Sequence, residues 1–182
     1  NAASVMGKLE DWLQTEWPEL KVYLTSVTEQ FATISINGPY SSQLMKKLCS
    51  NHDFSKENFP HMSFQNMKID GVDCRVMRIS FTGEICYEIN VSSSYAKALW
   101  AKCFELGKEY NITPYGTEAM HVLRAEKGFI IVGQETDGSV TPIDLDMSWI
   151  VSKEKYDFIG KRSLYRSDTI REDRKQFVGL LT

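Results

Sequence analysis

The stretch Met67-Lys68-Ile69-Asp70-Gly71-Val72-Asp73-Cys74-Arg75-Val76 decides the fold. Apolar residues run two apart up to Asp70-Gly71 and two apart away from it, with Met67 and Ile69 on one side and Val72, Cys74 and Val76 on the other. An Asp-Gly pair between alternating runs marks a β-hairpin, because a type I′ turn needs positive φ at both central residues. Upstream, Ala32, Ile34 and Ile36 alternate with polar neighbours as a half-buried strand does, Val22 and Leu24 predict another before it, and Gly38-Pro39 breaks the chain. Downstream, one long strand is expected to end at Phe81 and another to run through Tyr87, Ile89 and Val91.

Helices fill the gaps. Val5, Leu9, Trp12 and Leu13 have helical spacing, and Pro18 ends that amphipathic opening helix by disfavouring helical geometry at Trp17. Ser41 or Ser42 is placed to cap a short helix with Leu44, Met45 and Leu48, and Ser93 or Ser94 one with Ala96, Leu99, Trp100, Cys103 and Phe104 on one face, ending near Gly107. A further helix is predicted from Thr117 to Lys127, with Gly128 as the residue beyond its end. Strands and helices alternate without the continuous apolar strands of a parallel sheet, which predicts an α+β fold with antiparallel sheets and ferredoxin-like character.

The chain has 182 residues, 42% hydrophobic and 12% aromatic, enough to bury a sizeable core. A net charge of −3 without a basic stripe argues against nucleic acid as a partner. No apolar run is long enough to span a bilayer, and Asn1-Ala2-Ala3 starts no secretory signal, so no membrane association and a cytoplasmic location are expected. Cys49, Cys74, Cys86 and Cys103 form no C-x-x-C pair, and His52, His61 and His121 are dispersed. The thiols are expected buried and reduced, with no metal bound. Ser167 to Gln176 is almost wholly polar and reads as an exposed connector, and Phe177 to Thr182 as a strand that stops at once. Both ends are expected to be cuts in a longer polypeptide.

Thr82-Gly83-Glu84 lies where one strand stops and the next begins, a tight turn presenting a carboxylate. Its spacing alone does not make it a site, since a Glu after Gly in a turn is more often a solvated charge. The functional alternative is that a carboxylate accepts two parallel hydrogen bonds from adjacent N–H groups, such as the guanidine-like edge of a reduced pterin.

The string Ile79-Ser80-Phe81-Thr82-Gly83-Glu84-Ile85-Cys86-Tyr87-Glu88-Ile89 resembles the TGE…(F/Y)EI segment of glycine-cleavage T-proteins, the aminomethyltransferases. Pro114-Tyr115-Gly116-Thr117-Glu118-Ala119-Met120-His121-Val122-Leu123-Arg124-Ala125-Glu126-Lys127-Gly128 is similar to their LR-x-E-x-G helix. Gly133-Gln134-Glu135-Thr136-Asp137, Thr141-Pro142 and Asp157-Phe158-Ile159-Gly160-Lys161 follow in family order. Within that superfamily, Leu13-Gln14-Thr15-Glu16-Trp17-Pro18, Thr28-Glu29-Gln30, Asn37-Gly38-Pro39 and Tyr115-Gly116-Thr117-Glu118-Ala119 look like the alpha subunits of heterotetrameric sarcosine oxidases.

The resemblance implies the T-protein folate-binding fold, partial and lacking an upstream segment, over residues 1–166, with residues 167–182 the connector and first strand of a truncated C-terminal barrel. It implies tetrahydrofolate binding through Glu84, with Thr82, Gly83, Tyr87, Asn1 and Arg124 as further folate-site residues. For Arg124, an internal ion pair with Glu118 or Glu126 stands beside the ligand role. Thr141-Pro142 and Trp149 border the pocket or, for Trp149, join the core. Met120 stands where T-proteins carry an arginine, so tail contacts there do not carry over, and Val132 replaces a tyrosine. No catalytic residue is expected here, the family aspartate lying upstream.

The resemblance further implies an oxidoreductase of one-carbon metabolism. Sarcosine is oxidised in the intact complex and tetrahydrofolate captures the one-carbon unit, giving glycine, hydrogen peroxide and 5,10-methylenetetrahydrofolate. FAD, FMN and NAD would bind elsewhere, since no Gly-rich dinucleotide fingerprint follows a strand here, and the beta, gamma and delta subunits would be partners. Alone, this stretch is expected to be inactive. A free-standing aminomethyltransferase or folate-dependent demethylase, and a non-catalytic assembly module, are the alternatives.

Overall fold

The computed structural model describes residues 1–180 and divides into two compact units, the first Asn1–Gly116 and the second beginning at Thr117. In the first unit, α1 (Ala2–Thr15) precedes β1 (Phe31–Asn37), α2 (Ser41–Leu48), β2 (Phe64–Ile69), β3 (Val72–Met77), β4 (Cys86–Ser92) and α3 (Ala96–Gly107). The strands form one fully antiparallel sheet in the order β1-β4-β3-β2. The α+β antiparallel architecture expected from the sequence is the one observed.

The hairpin is as predicted. Ile69 pairs with Val72, and Asp70 (φ 47°) and Gly71 (φ 82°) both take the positive φ that this turn requires. The pleat then sends Met67, Ile69, Cys74 and Val76 to one face, where Ile34, Ile36, Tyr87, Ile89 and Val91 join them. Leu44, Met45 and Leu48 of α2 and Leu99 and Cys103 of α3 cover that face and complete the core. All four cysteines are free and buried.

Several local expectations give way to tertiary contacts. Val22 and Leu24 join no strand: β1 pairs with β4 alone, so the 21–27 segment has no ladder to enter, and Val22 is exposed. The strand expected to reach Phe81 leaves the ladder after Met77, where the buried Arg78 turns its guanidinium to the Phe59 carbonyl (2.5 Å). No serine caps α2 or α3. The Ser41 hydroxyl donates to the Ile85 carbonyl (3.2 Å), Ser42 meets the Tyr87 hydroxyl (3.0 Å), and Ser93–Tyr95 forms a 3₁₀ turn ahead of α3. The opening helix forms as predicted but buries none of its residues.

In the second unit, α4 (Thr117–Glu126) ends as expected at Gly128. The Phe129 amide donates to the Arg124 carbonyl (2.8 Å) and the Gly128 amide to Ala125 (3.0 Å), the paired bonds of a Schellman motif. Beyond α4 the backbone runs in turns and two short 3₁₀ segments, Ser148–Ile150 and Lys161–Tyr165. Trp149 is 78% exposed, which removes it from any core. The polar 167–176 stretch is not simply solvated, since Arg174 is anchored to Asp144. Residues 177–180 join no strand, the Phe177 amide donating instead to the Asp144 carbonyl (2.8 Å), and the rest of the predicted terminal strand, Leu181 and Thr182, lies outside the described residues.

Candidate functional site

The turn carrying Glu84 is built between β3 and β4. Gly83 takes φ +81°, a backbone state open to glycine, and the chain bends between Thr82 and Glu84. Thr82 is wholly buried, and its hydroxyl donates to Asn37 Oδ1 at the end of β1 (3.1 Å). On the other side of Glu84, the Ile85 carbonyl accepts from the Gly38 amide (2.9 Å) and from Ser41 Oγ (3.2 Å). Glu84 itself is half-buried. Both ends of the turn are thus held by residues 37–41.

A polar cluster continues from the turn along the sheet face opposite the core. In the β1–β4 register Asn37 faces Cys86 and Ser35 faces Glu88. Asn37 Nδ2 donates to Ser35 Oγ (3.0 Å) and to the Tyr115 hydroxyl, while Ser35 Oγ lies 3.2 Å from Cys86 Sγ. Burial pushes the Cys86 thiol up to about 11, against the opposing hydrogen bond from Ser35. Burial likewise raises the Glu88 carboxyl above its usual value, and raises Tyr115 despite hydrogen bonds from Ser35 and Asn37. At neutral pH Cys86 is therefore a thiol, not the thiolate a nucleophile requires. The arrangement offers hydrogen-bonding groups and a carboxylate that bind and orient. Among the described residues no group of three His, Cys, Asp or Glu side chains is set to hold a metal ion.

The sequence-predicted residues divide. Thr82, Gly83 and Glu84 come together on the turn. Tyr87 does not join them: it is fully buried, its ring packed on Phe54 and Phe59 and its hydroxyl donating to the Phe54 carbonyl (3.4 Å), because alternation along β4 points it into the core. Asn1 is exposed at the start of α1, where its carbonyl accepts from the Val5 amide (3.0 Å).

Arg124, in the second unit, is 8% exposed and donates to the Phe129 carbonyl and Gln134 Oε1 (both 3.0 Å). Its ion-pair partner is Glu135 (2.6 Å), neither Glu118 nor Glu126. The Ile131 amide and then Arg124 hold the Glu135 carboxyl below its ordinary value. Both terminal nitrogens of the guanidinium are thus engaged by the loop after α4, while Nε is buried without a hydrogen-bond partner. Sequence reasoning passed over Ser35, Asn37, Glu88 and Tyr115 as site residues. The signal was present in Asn37-Gly38-Pro39, Tyr115-Gly116 and Tyr87-Glu88-Ile89, strings used there for resemblance and not for placement.

The family model described as GCVT N-terminal domain matches residues 1–155. The chain belongs to this family. Among relatives of this GCVT-domain chain, the sarcosine oxidase subunit alpha of Corynebacterium sp. (strain P-1) is 56% identical over 181 residues, which cover 99% of this chain and 19% of that protein. The protein of the same description from Rhizobium meliloti (strain 1021) is 37% identical over 182 residues, 99% of this chain and 18% of that protein. The aminomethyltransferase of Thermoanaerobacter pseudethanolicus (strain ATCC 33223 / 39E) is 32% identical over 166 residues, 91% of this chain and 44% of that protein. The chain thus spans about a fifth of the length of the sarcosine oxidase subunits it matches. Among the described residues of this GCVT-domain chain no helix is long and apolar enough to cross a membrane.

Proposed function

We propose that this chain is the folate-binding part of a sarcosine oxidase alpha subunit, with Glu84 recognising the pterin ring. The observation that carries the reading is Glu84, a half-buried residue on a turn clasped at both ends by residues 37–41. A carboxylate presented from a turn held in this way suits the paired N–H edge of a reduced pterin, accepting two parallel hydrogen bonds that set both the identity and the orientation of the ring. Thr82 and Gly83 shape the turn and Asn37 steadies it. Residues 1–166 make up the folate-binding domain in this reading, and residues 167–182 lead toward a C-terminal barrel.

Tetrahydrofolate, when bound, supplies the amine nitrogens that accept the one-carbon unit of oxidised sarcosine, leaving glycine and 5,10-methylenetetrahydrofolate. The chain's part is to hold the ring in one orientation and keep water from the carbon in transit, since hydrolysis would release formaldehyde. Oxidation takes place at a flavin that dioxygen reoxidises, yielding hydrogen peroxide, and the FAD, FMN and NAD sites lie elsewhere in a cytoplasmic complex with beta, gamma and delta subunits. The 56% identity to a sarcosine oxidase alpha subunit, against 32% to an aminomethyltransferase, favours this over a free-standing aminomethyltransferase. The test is product partition in the intact protein. Adding tetrahydrofolate is expected to replace formaldehyde by 5,10-methylenetetrahydrofolate, and an unchanged formaldehyde yield would overturn the reading.

A further inference from the structure

We propose that Asn37 is a positioning residue for pterin recognition, holding Glu84 in its working orientation through Thr82, with Tyr115 and Ser35 steadying the Asn37 amide. The proposal rests on the folate reading of Glu84 and names the device that makes the carboxylate selective.

An asparagine side chain has one carbonyl acceptor and two N–H donors. At Asn37 the carbonyl takes the Thr82 hydroxyl (3.1 Å), and Nδ2 serves Ser35 (3.0 Å) and the Tyr115 hydroxyl. The amide therefore cannot turn without breaking bonds on both sides. Thr82 is 1% exposed, so its hydroxyl has no solvent to fall back on and its place depends on Asn37. Immediately after it, Gly83 takes φ +81°, a backbone state open to glycine and poorly constrained by its own side-chain-free atom. The position of the backbone from which Glu84 projects consequently depends on what pins the flanking residues.

Ile85 is pinned by the Gly38 amide and the Ser41 hydroxyl. Thr82 is pinned by Asn37 across a separation of 45 residues. Removing the Asn37 amide frees one end of the turn while leaving the other attached. Two parallel hydrogen bonds to a flat ring edge tolerate displacements of roughly 0.5 Å. A turn displaced at Thr82 shifts Glu84 relative to the ring and thus weakens its reading of the exocyclic amine first, while the contacts made to the rest of the folate are unaffected.

That difference gives the test. In the intact protein, the affinities of tetrahydrofolate and of its 2-desamino-2-methyl analogue, which lacks the exocyclic amine, are measured by calorimetry for wild type, Glu84→Gln, Asn37→Ala and the double variant. A drop with Glu84→Gln establishes the pterin role; without that drop the folate reading itself fails, independently of Asn37. Given the drop, Asn37→Ala is expected to weaken tetrahydrofolate binding by about tenfold, to leave the analogue within about twofold, and to add less than about twofold in the Glu84→Gln background.

Thr82→Val removes the hydroxyl at nearly constant shape and is expected to reproduce the loss, with Thr82→Ser recovering most of it. This pair carries the test if Asn37→Ala does not fold. Equal losses for tetrahydrofolate and analogue, full additivity with Glu84→Gln, or no loss in Thr82→Val would overturn the proposal.

Discussion

Arg174 reaches back thirty residues to Asp144, its Nε donating to Oδ1 at 2.7 Å and its Nη2 lying 2.5 Å from Oδ2. Asp144 is 5% exposed and also accepts from the Thr141 amide (2.7 Å) and hydroxyl (3.0 Å). The carboxylate thereby gathers the Thr141-Pro142 turn and the charged 167–176 stretch into one knot, which Arg174 extends to the carbonyls of Ser139 (2.6 Å) and Asp168 (2.8 Å).

Arg174→Ala should strip a buried carboxylate of its cation and lower the melting temperature by on the order of 5 °C. Arg174, then burial working in the opposite sense, governs the Asp144 carboxyl, whose net displacement is far below the ordinary range. A depressed folded value means the pair's contribution is fully present above the unfolded carboxylate value of about 3.9 and disappears as pH falls through the folded one. The stability difference between wild type and Arg174→Ala should therefore be flat from pH 5 to about pH 8 and shrink only below about pH 4. Denaturant melts across that range check it, and a difference that grows in acid would contradict the pairing.

Glu84→Gln keeps the side chain's size but exchanges one acceptor oxygen for a donor. Tetrahydrofolate affinity in the intact protein should fall by roughly 1.5–3 kcal/mol, the worth of a hydrogen bond to a charged group. Calorimetry giving equal affinities would remove Glu84 from the site.

Tyr87→Phe separates a core role from a ligand role. The hydroxyl bridges Ser42 and the Phe54 carbonyl inside the core, so its loss should cost about 1 kcal/mol of stability and leave folate affinity unaltered. A weakened folate complex with unchanged thermal stability would return Tyr87 to the binding site.

Glu88 provides a second pH signature with the opposite sign. Burial raises its carboxyl, so the stability linked to its protonated form is present below the unfolded value of about 4.3 and is lost as pH rises through the folded value. Glu88→Gln should accordingly be more stable than wild type at neutral pH, with the gap closing below about pH 4. Paired melts at the two pH values read this directly.

The first unit carries exposed apolar side chains on and just after α1: Val5 at 56%, Leu20 and Val22 at 50%, and Tyr23 at 96% exposure. A protein of this sequence purified alone should self-associate on concentration, with Leu20→Lys and Val22→Lys shifting it toward monomer. Light scattering over a dilution series measures it, and a strictly monomeric wild type would show that the patch is inert.

What the sequence by itself determined was local. The hairpin at Asp70-Gly71, the alternation that sends Met67, Ile69, Cys74 and Val76 inward, the stop of α4 at Gly128 and the turn at Thr82-Gly83-Glu84 each follow from a few consecutive residues and their backbone preferences. The order of the family strings was legible in the same way. Tertiary structure alone decided which distant side chains meet. The register of β1 on β4 placed Asn37 beside Thr82, the inward pleat at Tyr87 withdrew it from the turn it follows by three residues, and the absence of a neighbouring ladder left Val22 and Leu24 outside the sheet. Arg124 found Glu135 in place of the acids on its own helix, and Arg174 found Asp144 across thirty residues. The physical reason is that a polar side chain losing solvent takes whichever partner the packed backbone brings within about 3 Å, and that choice is made by the assembled layers, not by neighbours along the chain.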